Sequence, residues 1–335
     1  MRFSSWLESV RSRLRQSPRR GKQRLRRRTM RPSIEPLESR TLLSVTSIFD
    51  PLTGDLDISS DASDVIVVSM DGETNEVLVN DQTVDDTEGG TVTVDELTSV
   101  TVEAGPGDDV VDLSDLDPGT FPDLIGTDVS ISGGEGADLI TGSGLDDLID
   151  GDAGDDTING GDGDDKLNGS GGDDEMLGGA NNDTLNGGGG SDFLSGEDGD
   201  GADLLNGGLG GDDLDGQDGN DHITGGAGND LIEGGLGDDF VNGGGGNDSA
   251  AGGAGNDSMF GGSGSDQLSG EEGNDIVNGQ GGFETIAGGD GFDTTVGEEF
   301  EMDEDYDFGF DGDDPGDSGG DPGDDPGDGG APPAE

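Results

Sequence analysis

The nonapeptide GGDGDDKLN at residues 160–168 decides the fold of this chain, because variants of it follow one another over residues 133–296. There are eighteen such units. Each begins with glycine, usually has glycine at its second and fourth positions, and often has Asp or Asn at its fifth. Every unit has an acid at its sixth position, and nearly every unit has an aliphatic residue at its eighth. A period of this kind predicts an array of stacked units rather than an ordinary globular domain.

The acids at the sixth position are the candidate functional residues. They are Asp138, Asp147, Asp156, Asp165, Asp174, Asp183, Asp192, Asp203, Asp212, Asp221, Asp230, Asp239, Asp248, Asp257, Asp266, Asp275, Glu284 and Asp293. Asp109 holds the same place in a degenerate copy at residues 105–114. The unit at residues 196–206 has eleven residues, and its two extra residues predict a bulged loop.

The chain has too few hydrophobic residues for a conventional core. The chain has 335 residues, of which 27% are hydrophobic and 4% aromatic, and these values alone would suggest disorder. A random polar tract, however, has no reason to place an aliphatic residue at every ninth position. We therefore expect an ordered array with a thin core.

The charge is large and unevenly distributed. The formal net charge is −65, yet residues 1–40 hold thirteen of the fourteen basic residues and only three acids. The rest of the chain is acidic enough to repel nucleic acid and anionic lipid, and the small ligand that it favours is a cation. Without cysteine the chain has no disulfide or thiol chemistry. No apolar run is long enough to span a membrane as a helix.

The glycines and the acid of each unit suit a metal ion. Glycine at positions one, two and four permits positive φ, so the backbone turns tightly and aims carbonyl oxygens inward. The sixth-position carboxylate adds charge to these oxygens. Ca²⁺ takes six to eight hard oxygen ligands, partly from the backbone, whereas Mg²⁺ demands a tighter octahedron and keeps its waters. The pattern therefore predicts calcium binding by the turns.

The last three residues of each unit predict a short strand with one side chain inward and two outward. Because one unit cannot bury its aliphatic residue alone, the units should stack into two parallel sheets with turns along both edges. Each turn then lies beside the second turn after it. Eighteen units give about 16 calcium sites between such turns, and without calcium we expect an expanded coil.

The nonapeptide resembles the repeat of the RTX (repeats-in-toxin) family, and the resemblance covers about half of the chain directly. It implies an all-β fold, a right-handed parallel β-roll or calcium-bound β-solenoid. The implied ligands are the sixth-position acids, with turn carbonyls completing each site. The resemblance also implies export in an unfolded state by a type I-like route, and folding where calcium is millimolar.

Some units depart from the family pattern, and we expect them to bind calcium last. Leu145 and Asn181 replace the fourth-position glycine, and Glu284 is one methylene longer than aspartate. Phe283 and Phe292 stand where Asp or Asn is usual.

Four segments are predicted. They are a basic targeting or sorting segment at 1–44, a strand-rich N-terminal cap at 45–132, the β-roll at 133–296, and a disordered acidic Asp/Gly/Pro tail at 297–335. The cap is inferred from β-branched runs at 65–68, 77–79, 92–94 and 100–102. A solenoid needs such a cap, because an open end exposes unpaired strand edges.

The basic segment leaves two interpretations open. Its apolar residues fall at helical spacing between arginines, which suits either a helix that contacts a membrane surface or another partner, or a solvated arm. No apolar stretch of signal-peptide length follows the arginines. PLESRTLLSV at residues 36–45 resembles the LEPR-x-L-L segment of some exported bacterial proteins, with Ser39 in place of the proline. This resemblance implies export.

The sequence offers little for catalysis. GDSGG at residues 316–320 satisfies G-x-S-x-G but lies in the Pro/Gly tail, and His222, the only histidine, is predicted to point outward. We predict a non-enzymatic, extracellular or cell-surface calcium-binding module with a structural or interaction role. Its partners would be calcium ions and cell-surface or matrix components. The alternatives are the secretion or folding module of a calcium-dependent secreted protease or lipase, and a surface adhesin.

Overall fold

A computed structural model describes residues 45–297, apart from 72–73, 75, 81, 86–89, 118–128 and 198–200. The predicted basic segment and nearly all of the predicted acidic tail lie outside the described residues. So do the inserted residues of the eleven-residue unit, whose loop stays a prediction. None of the described residues forms a helix long and apolar enough to cross a membrane.

The described chain is all-β, as predicted, with one short 3₁₀ helix. The elements in order are β1 (Thr46–Asp50), β2 (Asp55–Ser59), β3 (Val65–Met70), β4 (Val77–Val79), β5 (Gln82–Thr83), a 3₁₀ helix (Val94–Glu96), β6 (Ser99–Glu103), β7 (Val110–Asp112), β8 (Val129–Glu135), β9 (Leu139–Thr141), β10 (Asp147–Ala153), β11 (Thr157–Asp162), β12 (Lys166–Gly171), β13 (Glu175–Ala180), β14 (Thr184–Gly189), β15 (Phe193–Ser195), β16 (Leu204–Leu209), β17 (Asp213–Asp215), β18 (His222–Ala227), β19 (Leu231–Leu236), β20 (Phe240–Gly245), β21 (Ser249–Ala254), β22 (Ser258–Gly264), β23 (Gln267–Glu272), β24 (Ile276–Gly282), β25 (Thr285–Ala287) and β26 (Thr294–Val296).

These strands form two sheets that take successive units alternately. The even strands from β6 to β26 make one parallel sheet, and the odd strands from β7 to β25 make the other. Equivalent residues pair 18 positions apart, as in Leu167 with Leu185. Across the eleven-residue unit the register holds, since Leu185 pairs with Leu205. The chain is therefore a parallel β-solenoid with two units per coil, as the period predicts.

The eighth-position side chains form the core of the solenoid. From Ile140 to Val277 every one of them is buried, including the small Ala250. The last two units differ, because Ile286 is only partly buried and Thr295 is exposed. The residues at positions seven and nine are partly or fully exposed, apart from the buried Ser195. One inward side chain per three-residue strand is therefore confirmed from Ile140 to Val277.

Residues 45–112 extend both sheets and end them with antiparallel pairs. Strand β2 continues the even sheet, and β1 pairs antiparallel with β2. Strand β3 continues the odd sheet, and β4 and β5 follow it in antiparallel order. Antiparallel pairs at this end cover strand edges that would otherwise be open to further parallel stacking. The predicted capping region thus has the expected strand-rich form.

The prediction of a strand at residues 92–94 is wrong. Thr93 makes only an isolated bridge, and Val94–Glu96 form the 3₁₀ helix. The Glu96 carboxylate accepts hydrogen bonds from the Thr93 backbone N–H and from the Thr93 hydroxyl, each at 2.9 Å. This local cap satisfies the helix start and competes with strand pairing. Strands β1 and β2 were not predicted.

Candidate metal centre

The turns between strands place the sixth-position acids in two stacks, one along each edge of the solenoid. Edge one holds Asp109, Asp138, Asp156, Asp174, Asp192, Asp212, Asp230, Asp248, Asp266 and Glu284. Edge two holds Asp147, Asp165, Asp183, Asp203, Asp221, Asp239, Asp257, Asp275 and Asp293. All nineteen predicted residues are therefore brought together, and all but Asp293 are buried.

One oxygen of every stacked carboxylate except that of Asp147 accepts a backbone N–H from the preceding turn on the same edge. Asp165 Oδ1 accepts the backbone N–H of Asp147 at 2.7 Å, and Asp183 Oδ1 accepts that of Asp165 at 2.8 Å. Glu284 keeps the pattern, since its Oε2 accepts the N–H of Asp266 at 2.8 Å. These bonds orient the carboxylates alike along each stack.

The other carboxylate oxygen is buried and unpartnered. This holds for Oδ2 of fifteen of the aspartates and for Oε1 of Glu284, counting partners among the described residues. A buried oxygen carrying negative charge without a donor is costly, and native proteins rarely leave such atoms unpaired. A row of them along both edges indicates that a cation belongs there.

Backbone carbonyls supply further oxygens beside the acids. A Cβ placed on fourth-position Gly172 would lie 1.8 Å from the carbonyl oxygen of Gly154, the equivalent residue of the preceding turn. At the second position, a Cβ on Gly179 would lie 1.9 Å from the carbonyl oxygen of Gly161. Both carbonyls therefore point at the next turn of their edge, where only glycine fits so close.

The first-position glycine makes room for the carboxylate itself. A Cβ on Gly160 would lie 2.3 Å from Asp165 Oδ2 in the same unit. Each turn thus presents hard oxygens of two kinds, carboxylate and carbonyl, which is the donor set that Ca²⁺ prefers. The backbone carbonyls that point at the next turn would therefore supply much of the coordination of an ion held there.

Burial makes these acids hard to ionise in the metal-free chain. Desolvation raises the pKa of Asp165 to about 8 and that of Asp156 to about 7, although a backbone N–H donated to each carboxylate opposes the rise. Neighbouring acids of the same edge raise both pKa values further, since like charges disfavour ionisation. A bound divalent cation would reverse this effect and favour the charged carboxylates.

The fifth position carries a second ladder that the sequence reasoning missed. Asp164 Oδ1 accepts the backbone N–H of Asn182 at 3.1 Å, and Asn256 Oδ1 accepts that of Asn274 at 3.2 Å. The signal was present as the preference for Asp or Asn there. Phe283 and Phe292 have no such acceptor, and their side chains are 80% and 91% exposed.

The unusual units differ in how far they depart from the regular turn. At Leu145 the turn changes, because Ser143 donates its N–H to Asp147 Oδ2 at 2.6 Å and its hydroxyl to Oδ1 at 2.8 Å. Leu145 is also not among the residues with positive φ. Asn181, in contrast, keeps the left-handed conformation with φ of 86°. Both oxygens of Asp147 therefore already have donors, unlike those of its neighbours in the stack.

Comparison with known proteins agrees with this geometry. A family model described as the RTX calcium-binding nonapeptide repeat, in four copies, matches residues 132–167, 141–176, 168–201, 177–214, 197–223, 215–250 and 251–283. No curated protein was found to match the chain.

Proposed function

We propose that residues 132–283, which are RTX calcium-binding nonapeptide repeats, fold around their calcium ions outside the cell. There they would serve as a structural or interaction module. The observation that carries the proposal is the row of buried, unpartnered carboxylate oxygens along both edges. The residues that would hold calcium are the nineteen stacked acids, together with second- and fourth-position carbonyls. Bound calcium would supply the positive charge that these oxygens lack.

The charge balance of the solenoid supports many ions rather than one. Residues 133–296 contain 38 acids and a single lysine, Lys166. Like charges stacked at the spacing of adjacent strands repel each other strongly inside a protein. About 16 divalent ions between the turns would neutralise most of this charge. Folding and calcium binding would then be one process.

The extracellular location is supported by residues 36–45, which resemble an export segment. Extracellular calcium modules commonly bind calcium in the range of about 10⁻⁴ to 10⁻³ M. Sites built mostly from backbone carbonyls and one or two carboxylates suit that weak range. We expect the partners to be cell-surface or matrix components and the role to be non-enzymatic.

The fifth and sixth positions offer a matched test of the ligand assignment. Both accept backbone N–H bonds along their ladders, yet six fifth positions are asparagine and no sixth position is. An acceptor oxygen is thus enough at the fifth position, whereas the sixth position retains its charge. We infer that this charge is needed for calcium.

The substitution Asp165→Asn should weaken calcium binding at the sites beside it by about 10-fold or more, whereas Asp164→Asn should leave calcium binding nearly unchanged. Both variants keep an amide oxygen for the ladder bond. Calorimetric titration with calcium measures the loss, and thermal unfolding in millimolar calcium checks that both variants fold. Equal calcium binding by the two variants would overturn the assignment of the sixth position.

A further inference from the structure

The outer face of the odd sheet contains a groove that crosses its strands from β15 to β23. Strand β21 presents only small residues outward, namely Ser249, Ala251, Gly253 and Ala254. The neighbouring strands β19 and β23, each about 4.8 Å away, also present larger side chains, Leu231 and Glu233 on β19 and Gln267 and Glu271 on β23. A cavity of about 350 Å³ lies over the sheet, and a second of about 460 Å³ continues it at edge two.

The groove has an apolar part and an acidic part. Phe193 and Leu231 line the part over the sheet, and 36% and 45% of their respective surfaces are exposed. Asp215, Glu233 and Glu271 line both cavities and so connect the two parts. An apolar surface next to fixed carboxylates is complementary to a ligand that has a cation beside an apolar group.

Among the described residues the groove carboxylates have no lysine or arginine beside them. Beyond residue 40 the only lysine or arginine in the chain is Lys166, which lies in the even sheet. Burial raises the pKa of Glu233, and the charges of Asp215 and Asp213 raise it further. Burial likewise raises the pKa of Glu271, with Glu233 and Glu272 adding to the rise. The side chains of Glu233 and Glu271 are nevertheless exposed, and the neighbouring carboxylates repel one another.

The groove carboxylates are spread over three strands, with Asp215 on β17, Glu233 on β19 and Glu271 on β23. They extend from the sheet to edge two. A series of basic side chains on an extended chain matches that spread, because each arginine or lysine has a long apolar stem and a charged end.

We propose that this groove docks a basic peptide segment in which arginine or lysine alternates with apolar residues. An apolar side chain of the segment packs against Phe193 and Leu231. A basic side chain lies over Ala251 with its charge between Glu233 and Glu271. The acidic surroundings disfavour nucleic acid and anionic lipid, so the partner is a protein with a basic strand or tail.

The first test fills the groove without changing its charge. The probe is a fluorescein-labelled hexapeptide of alternating leucine and arginine, titrated with calcium-loaded full-length protein and followed by anisotropy. Ala251→Leu should weaken binding about 10-fold. The matched control is Asn159→Leu, at the same outward position of β11 but outside the groove, which should change binding less than about twofold. Equal effects of the two variants would overturn the proposal.

The second test removes equal charge at two places. Asp215→Asn with Glu233→Gln should weaken peptide binding about 10-fold, whereas Glu103→Gln with Glu135→Gln, on the even sheet, should weaken it less than about twofold. Equal losses in both pairs would show general attraction to an acidic surface and would overturn the proposal. This pair also serves if Ala251→Leu fails to fold.

Two altered peptides and a polyamine separate the parts of the recognition. A peptide of alternating leucine and citrulline lacks the charge, and one of alternating serine and arginine lacks the apolar contact. Each should bind about 10-fold more weakly than the leucine and arginine peptide. If the serine and arginine peptide or spermidine bound as tightly as the leucine and arginine peptide, the groove would recognise charge alone. The proposed peptide recognition would then be wrong.

Discussion

Excess EDTA added to the calcium-loaded protein should abolish most of its β-sheet circular dichroism and shift residues 133–296 to an expanded coil. Each unit buries one aliphatic side chain for nine ordered residues, which is a small hydrophobic gain against the lost chain entropy. Removing calcium also leaves the stacked carboxylates buried without a cation. Both effects favour unfolding.

The loss should not be complete. Residues 45–117 bury seventeen hydrophobic side chains, about as many as the whole repeat region, in a much shorter stretch. This region contains only one of the stacked acids, Asp109. We therefore expect residual strand signal from it after chelation. Magnesium at the same concentration should not restore the spectrum, because Mg²⁺ requires a tighter octahedral shell. An unchanged spectrum in EDTA would contradict the requirement for calcium.

Gly190→Ala should destabilise the calcium-loaded solenoid strongly, whereas Gly189→Ala next to it should have little effect. Gly190 has φ of 156°, and a Cβ there would lie 1.7 Å from the carbonyl oxygen of Gly172. A Cβ on Gly189 would meet nothing within 4 Å. The alanine at 190 must therefore displace a carbonyl that we assign to calcium, besides adding backbone strain of about 1–3 kcal/mol.

Thermal unfolding in millimolar calcium measures the difference between these two variants. We expect Gly190→Ala to melt at least about 5 °C below the unmodified protein and Gly189→Ala to melt within about 2 °C of it. A calcium titration should also show weaker binding for the first variant alone. Equal melting temperatures for the two would mean that fourth-position glycines are not needed for the close approach of successive turns.

Much of the fold could be predicted from the period. An acid at every sixth position and an aliphatic residue at every eighth fix which side chain enters the core and which residues share an edge. Because units alternate between two sheets, residues 18 apart become neighbours, and Leu167 pairs with Leu185 as expected. The two stacks of acids follow from the same 18-residue spacing.

The features that were missed depend on particular neighbours rather than on the period. The two hydrogen bonds that Ser143 donates to Asp147 form in a turn that lacks the usual glycine conformation. An outward ladder, in which Asn186 donates to Asn168 at 2.7 Å, appears only once residues 18 apart are side by side. The groove at Ala251 likewise depends on the small outward residues of β21 and on larger side chains of neighbouring strands. Each of these features depends on contacts between individual residues of neighbouring units, and a repeat consensus does not specify those residues.

Calorimetric titration of the metal-free full-length chain with calcium tests the central claim most directly. If stacked sixth-position acids and turn carbonyls hold the ions, the chain should bind about ten or more calcium ions, approaching about 16, and strand content should rise as they bind. Binding of only a few ions, with the solenoid already formed before calcium is added, would contradict the account.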